Sequence, residues 1–593
     1  LRKIKLLAKM MKKLYFGVVI TVLFSFFPAF SQEKNSTQKS LDSLIQVYQQ
    51  FQSEPYTVLK IADGEKLKSF GLFREADLNL ENQYLKKLKG SLDQLDARQL
   101  NENDQINLSL LLYTIADKIA YFDNKDYLIP INAEGGFHTS FANSPNRSFS
   151  TVKDYEDYIA RLSYFATYTN EYIAIMRKGI KEKITLPRVV LEGYEGTYNT
   201  HIVSDISQSA FFKPFERFPS HFSSEVKEKL TAEGKKAIQE SVIKGYKAFG
   251  EFMEKEYLPS ARTTVGVSAL PNGKAYYQSR ANHFTTLNIS VQEIHEIGLK
   301  EVARIKQEME EVIKQAKFEG DFKAFLEFLR TSPQFYVETP EQLLREASFL
   351  AKKADGKLPA FFGKLPRQPY GVEPVPDLIA PKYTGGRYVP APLNGKRGGT
   401  YWVNTYNLKS RPLYILESLT LHEAVPGHHL QIALTKELNH LPLFRQNLYI
   451  SAFGEGWGLY CEWLGIEMGF YQNPYTNFGR LTYEMWRACR LVVDTGIHAL
   501  GWSREQAINY LAGNTALSLH EVRTEIDRYI GWAGQALSYK IGEIKIKELR
   551  KKAEAELKEK FDIREFHDTL LSQGTVTLPI MEKIVNQYIQ EKK

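Results

Sequence analysis

His422 and Glu423 stand side by side in ILESLTLHEAVPGHHLQIALTK, residues 415–436, and His428 and His429 follow Pro426-Gly427. Two imidazoles and a carboxylate on one helix are the usual means of holding zinc with a position open for water, and a glutamate beside the first ligand is placed to take that water's proton. The spacing is not that of a regular H-E-x-x-H helix, because position 426 is proline. At about 100° per residue, His428 lies roughly 120° off the face of His422, and His429 returns to that face about 10.5 Å further along. Pro426 removes an N–H from the ladder and Gly427 loosens the next turn. A Pro-Gly bulge acting as a two-residue insertion would swing His428 back towards the metal. His428 is therefore the expected second ligand, with His429 as the alternative. A kinked core helix with structurally bonded histidines is the bland reading of the same stretch.

A third ligand is expected from SAFGEGWGLYCEWLG, residues 451–465, where Glu455 begins a second helix that can return to the metal. Glu462 lies on roughly the same face and suits a supporting bond to a ligand histidine, or an exchange of roles with Glu455. Hydrolysis also needs donors for the developing oxyanion. MWRACRLVVDTGIHALGWSREQAINYL offers Arg487, Arg490, Asp494 and His498; DRYIGWAGQALSYKIG offers Arg528, Gln535, Tyr539 and Lys540. His498 and Tyr539 are the candidates for oxyanion stabilisation. Arg490 or Lys540 suits a substrate carboxylate, and Gln535 joins them as a candidate substrate contact. GTYWVNTYNL alternates like a strand and runs almost directly into the metal helix. A strand edge there would hold an extended peptide, with Asn404 and Tyr406 at its end.

The elements that must position these groups are helical. LDSLIQVYQQF, INLSLLLYTIADKIAYF and DYEDYIARLSYFATYTNEYIAIMRKGI carry apolar residues at three-to-four spacing, and their aromatic stripes read as core. Residues 32–270 are expected to form an N-terminal helical lobe and residues 271–593 the metal-binding lobe. AEGGFHTSFANSPNRS, with His138, reads as irregular surface, and KLPAFFGKLPRQPYGVEPVPD as an extended connection. Ser290 with Glu293 and Thr339 with Gln342 mark helix starts. His295-Glu296 in the first of these helices is a decoy, since Leu299 stands where a second histidine would be needed. Cys461 and Cys489 are the only cysteines, either buried thiols or one disulfide.

Residues 1–31 combine a basic start, an apolar run and a small-x-small site ending at Ser31, the pattern of a cleaved export signal, with retention as an anchor the alternative. Periplasmic or extracellular placement follows, without stable membrane association after cleavage. The chain carries a net charge of +8, and removing that segment with its six basic residues leaves +2. So near-neutral a protein has no electrostatic case for nucleic acid. Nothing in the sequence specifies an oligomeric state.

HEAVPGHHLQ, VNTYNLKSRPLYILESL, EGWGLYCEWLG, LVVDTGIHALGWSREQA and AGQALSYKIG resemble the bacterial domain-of-unknown-function 885 family, as do DYEDYIARL, TLPRVVLEGY, LPNGKAYYQ and EIHEIGLKEVARI. That family is distantly similar to helical zinc peptidases such as thimet oligopeptidase, angiotensin-converting enzyme and Taq-type carboxypeptidase. The resemblance implies a mainly α, two-lobed shell around a deep cleft, with a small β-sheet beside the metal helix. It also implies one Zn2+ per chain with Glu455 as the downstream ligand, and His498 and Tyr539 as the oxyanion pair. The Pro-Gly insertion departs from those peptidases. The expected function is an exported zinc-dependent metallopeptidase that cleaves short peptides through Glu423. A zinc amidase or esterase on a non-peptide substrate, and an inactive peptide- or protein-binding shell, are the alternatives.

Overall fold

Helix N-termini follow side-chain chemistry that the sequence displays. Ser290 and Glu293 bond reciprocally to cap one helix, and Thr339 and Gln342 cap another. The computed structural model describes residues 35–593 except 134, 378 and 392–396. The expected export signal, residues 1–31, lies outside the described residues. No helix among the described residues is long and apolar enough to cross a membrane.

The chain is mainly α. Helix α1 (Glu102–Asp123) and helix α2 (Val152–Glu182) belong to the N-terminal part. Helix α3 (Gly273–Thr285) and helix α4 (Val291–Gln315) follow. Next comes a three-stranded sheet of β1 (Tyr370–Pro374), β2 (Gly386–Val389) and β3 (Gly399–Val403). Helices α5 (Leu416–Glu423), α6 (His428–Glu437), α7 (Ser451–Leu464) and α8 (Pro474–His498) come next in the chain. After them run α9 (Leu519–Gly531) and α10 (Ser538–Leu557). One apolar core runs through the whole described chain, from Leu41 to Ile589, and α8 passes through it with every residue from Phe478 to His498 buried. A helix apolar and buried on all sides is a scaffold whose few polar side chains must find partners inside the protein.

The sheet corrects one expectation. Its order is β1-β3-β2, so the predicted strand GTYWV is the centre and not an edge. Its two partners come from proline- and glycine-rich segments: β1 runs parallel to it and β2 antiparallel. Both were hidden because Pro and Gly lower the strand signal while edge positions still tolerate them. The segment around His138 is also not surface. Phe137–Ala142 form a short helix, and the His138 ring is fully buried with Nε2 2.9 Å from Thr197 Oγ1. His295 is a structural histidine, with Nδ1 2.7 Å from Thr495 Oγ1. Cys461 and Cys489 are both buried and free.

Candidate metal centre and its cavity

Proline and glycine decide where the metal-binding histidines go. Helix α5 stops at Glu423, and helix α6 begins at His428. Between them the Val425–Pro426 peptide is cis, and the Trp457 indole N–H donates to Pro426 O at 2.9 Å. A side chain at 427 is impossible: a Cβ there would stand 1.9 Å from His422 O. The expected bulge within one helix is thus a break between two helices, with the expected consequence. The His422 and His428 rings face each other at 4.7 Å between centroids, nearly perpendicular.

Helix α7 brings the carboxylates. Glu455 Oε2 lies 3.5 Å from His422 Nε2 and 3.4 Å from His428 Nε2. Three potential ligand atoms from these residues fall within 4.8 Å of one another. A Cβ at position 458 would stand 2.6 Å from His422 Cε1, so Gly458 is what lets α7 lie against that ring. Glu462 Oε1 sits 2.8 Å from His422 Nδ1 and accepts from Arg487 at 3.1 Å. Bonding Nδ1 to a carboxylate fixes the ring and turns Nε2 towards the centre. His428 lacks such support, for its Nδ1 is buried without a partner.

The electrostatics favour a cation here. Burial pulls His422 down, but Glu455 and Glu462 on its two sides overcome this and hold it at about 10. Burial pushes Glu455 up, yet His428 and His422 keep it well below the usual carboxylate range. A buried pair of carboxylates around an imidazole demands positive charge, which either protons or a metal ion can supply. The donor set fits a metal: two nitrogens and one oxygen converge, and His422 has the outer-shell carboxylate that ligating histidines ordinarily show.

Glu423 stands beside this cluster. Its Oε2 accepts the backbone N–H of Tyr388 in β2 at 2.7 Å. Tyr388 also reaches His429: its hydroxyl is 3.0 Å from His429 Nδ1, and the second ring nitrogen bonds the backbone at Gln368. Burial lowers His429 to about 4, so it is a neutral ring engaged at both nitrogens. The structure thus gathers His422, His428 and Glu455 and turns His429 towards the sheet.

A cavity of about 840 Å³ opens over the cluster. Its wall includes Glu423, Tyr449 and Tyr539 from the centre, Gly385–Tyr388 from the edge strand, and Tyr113, Asp117 and His283 from α1 and α3. Tyr539 packs parallel to the His422 ring at 6.3 Å, and no hydrogen bond engages its hydroxyl among the described residues. Arg490 and Gln535 also line the cavity. Gln535 accepts from Arg528 at 2.6 Å and donates to Ser451 Oγ at 3.3 Å.

Four sequence-derived candidates stand elsewhere. His498 is fully buried between two backbone groups: Nδ1 accepts from Val267 N at 3.1 Å and Nε2 donates to Tyr529 O at 3.0 Å. Burial lowers it to about 4, and with both nitrogens engaged it has no donor for an oxyanion. Lys540 points away from the cavity into an acidic cluster, 2.6 Å from Glu543, 2.8 Å from Glu484 and 3.0 Å from Glu301. Asn404 is buried and ties down the turn before β2 by donating to Ala380 O, Tyr383 O and Thr384 O. Tyr406 is exposed and is not among the described residues lining the cavity. In each case a helix face or strand parity could not say which way the side chain turned.

Three residues that sequence reasoning passed over matter at the site. Tyr388 fixes Glu423 and His429 from one strand position. Tyr449 donates to Glu455 Oε1 at 2.9 Å. Trp457 holds the interhelical break. The G-x-G-W-G pattern around Trp457 was the available signal, since closely spaced glycines in a helix mark close approach.

Among solved structures, a candidate lipoprotein from Colwellia psychrerythraea is 30% identical, with a TM-score of 0.84 over 94% of this chain and all of that one. A candidate lipoprotein of unknown function from Shewanella oneidensis shares the fold at 18% identity and a TM-score of 0.68, over 93% of this chain and all of its own. No curated protein matches the chain. Residues 66–585 match the family described as bacterial protein of unknown function, DUF885, and the chain belongs to that family.

Proposed function

We propose that this protein is an exported zinc-dependent hydrolase, a metallopeptidase of short peptides built as a two-lobed helical shell around a cleft. The observation that carries the reading is the convergence of His422, His428 and Glu455 with Glu423 beside them at the floor of a large cavity. Zinc held by those three residues would supply a Lewis acid and lower the pKa of bound water towards about 7. Glu423 accepts a proton from the attacking water and returns it to the leaving amine nitrogen. Tyr388 N–H holds one Glu423 oxygen, which orients the other for that transfer. The Tyr539 hydroxyl donates to the oxyanion that develops on the scissile carbonyl. Tyr449 and Glu462 brace Glu455 and His422.

A peptide substrate is supported by β2, which is an edge of the sheet and lines the cavity. An extended chain can pair with such an edge through main-chain hydrogen bonds. Glu423 itself weighs against a pure binding role, because a binder has no use for a general base. Export is supported by relatives described as candidate lipoproteins. The test combines zinc content with a short-peptide panel on the wild type and Glu423→Gln. Zinc retained and hydrolysis lost in the variant supports the reading; undiminished hydrolysis removes the mechanism.

A further inference from the structure

Three arginines line one wall of the cavity, and they are not equally engaged. Arg487 is paired with Glu462 at 3.1 Å and so belongs to the support of His422. Arg490 and Arg528 share one carboxylate: Glu525 Oε2 accepts from Arg490 at 2.9 Å and from Arg528 at 3.2 Å. Two cations on one anion leave this wall with an excess positive charge. The next acid, Asp494, offsets it weakly. It is occupied by the Tyr277 hydroxyl at 2.5 Å and by Gly534 N–H at 3.1 Å, and burial pushes it up to about 7.

Arg490 is the member of the wall with an unmade bond. Its Nε donates to the Tyr529 hydroxyl at 2.7 Å and its Nη2 to Glu525, while Nη1 is buried with no partner among the described residues. The side chain is 2% exposed. Aromatic rings fix its plane: its guanidinium carbon lies 4.1 Å from the Tyr539 centroid and 4.4 Å from that of Trp486. A rigid, desolvated guanidinium with a spare N–H in an enclosure of excess positive charge is matched by a carboxylate.

The distance to the metal cluster says which carboxylate. Tyr539 is the common neighbour, 6.3 Å from the His422 ring and 4.1 Å from the Arg490 guanidinium carbon. Arg490 therefore lies no further from His422 than those two steps together. An extended peptide advances about 3.3–3.6 Å per residue, so one or two residues fit between a carbonyl at the metal cluster and a carboxylate at Arg490.

We propose that Arg490 receives the free C-terminal carboxylate of a peptide, so that the protein releases one or two residues from C-termini; this rests on the peptidase reading above. In the reaction the amide C–N bond breaks, the oxygen of water bonds to the carbonyl carbon, and the amine leaves with the proton carried by Glu423. The product that departs on the Arg490 side keeps its original carboxylate.

The test uses the zinc-loaded Glu423→Gln protein and calorimetric binding of one defined N-acetylated hexapeptide in two forms, free acid and C-terminal amide. The acid is expected to bind about 10- to 100-fold more tightly, the range of one charge-assisted contact. Arg490→Gln, made in the same background, should erase that preference without changing binding of the amide. Arg490→Lys keeps the charge but not the fork and should retain part of it, which guards against a variant that merely misfolds. Equal affinity for acid and amide, no measurable binding of the acid, or a preference that survives Arg490→Gln overturns the proposal. Wild-type cleavage separates the two layers. Glu423-dependent cutting of both peptides at internal bonds at equal rates would keep the peptidase and overturn the carboxylate site. A preference for the acid without any hydrolysis would keep the site and remove the peptidase.

Discussion

Two clusters of buried charge lie against α8 and α10. Around Lys540, the acids Glu301, Glu308, Glu484 and Glu543 meet Arg304, Arg480 and Lys547, so cations and anions are equal in number. No buried atom of that cluster lacks a partner among the described residues. Around His422 the count is different. His428 Nδ1, Glu462 Oε2, Arg487 Nε, Arg490 Nη1 and Glu525 Oε1 are all buried without partners, and all five residues but Glu462 line the cavity. Unsatisfied buried polar atoms are costly and rare, so their concentration on one wall marks where a ligand is missing. Burial and charge are common to both clusters; unmet valence beside open space belongs to one. Lys540 and Arg490 read as equals in sequence because both are cations on amphipathic helices, and only their partners tell them apart.

The largest test of this contrast is chemical. Glu423→Gln should lower kcat/KM by about 10²- to 10⁴-fold, the usual worth of a general base, while zinc stoichiometry is unchanged. Metal analysis sharpens it next: His422→Ala and His428→Ala should abolish stoichiometric zinc, and His429→Ala should keep it. Loss of zinc with His429→Ala instead would move the ligand set. Glu462→Gln, one step removed, should weaken zinc by about 10- to 100-fold in a chelator competition.

The paired cluster should respond in stability alone. Lys540→Met leaves Glu484 and Glu543 facing each other uncompensated, and about 3–5 kcal/mol should be lost in denaturant unfolding with zinc affinity intact. A Lys540→Met protein of normal stability that has lost turnover would reverse the assignment of the two clusters. A smaller effect is expected in the pH dependence of the metal-free protein. His422 is raised from an ordinary 6.5 to about 10 by its carboxylates, so its stabilising contribution is complete below about pH 6.5 and disappears as pH rises through 10. Tm of the metal-free protein should fall across that window, and His422→Gln should flatten the slope. Zinc loading should flatten it as well, since the metal then replaces the proton.

The helical class, the helix caps at Ser290 and Thr339 and the grouping of His422, His428 and Glu455 were legible in the sequence. Each rests on local rules: apolar spacing, side chains that cap their own helix, and ligands within reach of a short connection. The strand pair β1 and β2 was not, because strand partners are chosen by residues far away in sequence and these two segments are rich in Gly and Pro. Tyr388 escaped for the same reason, although it ties both Glu423 and His429 to the sheet.

By itself the sequence determined that a proline and a glycine interrupt the metal helix, which forces a change of direction wherever that helix sits. Tertiary structure alone decided what the interruption achieves. Trp457 grips the break from α7, Gly458 lets that helix meet the His422 ring, and Tyr388 takes His429 away towards the sheet. It likewise buried His498 between two backbone groups and left Arg490 with a bond to make. A residue's type fixes which bonds it is able to form; which of them are already made depends on neighbours that only the folded chain brings within about 3 Å.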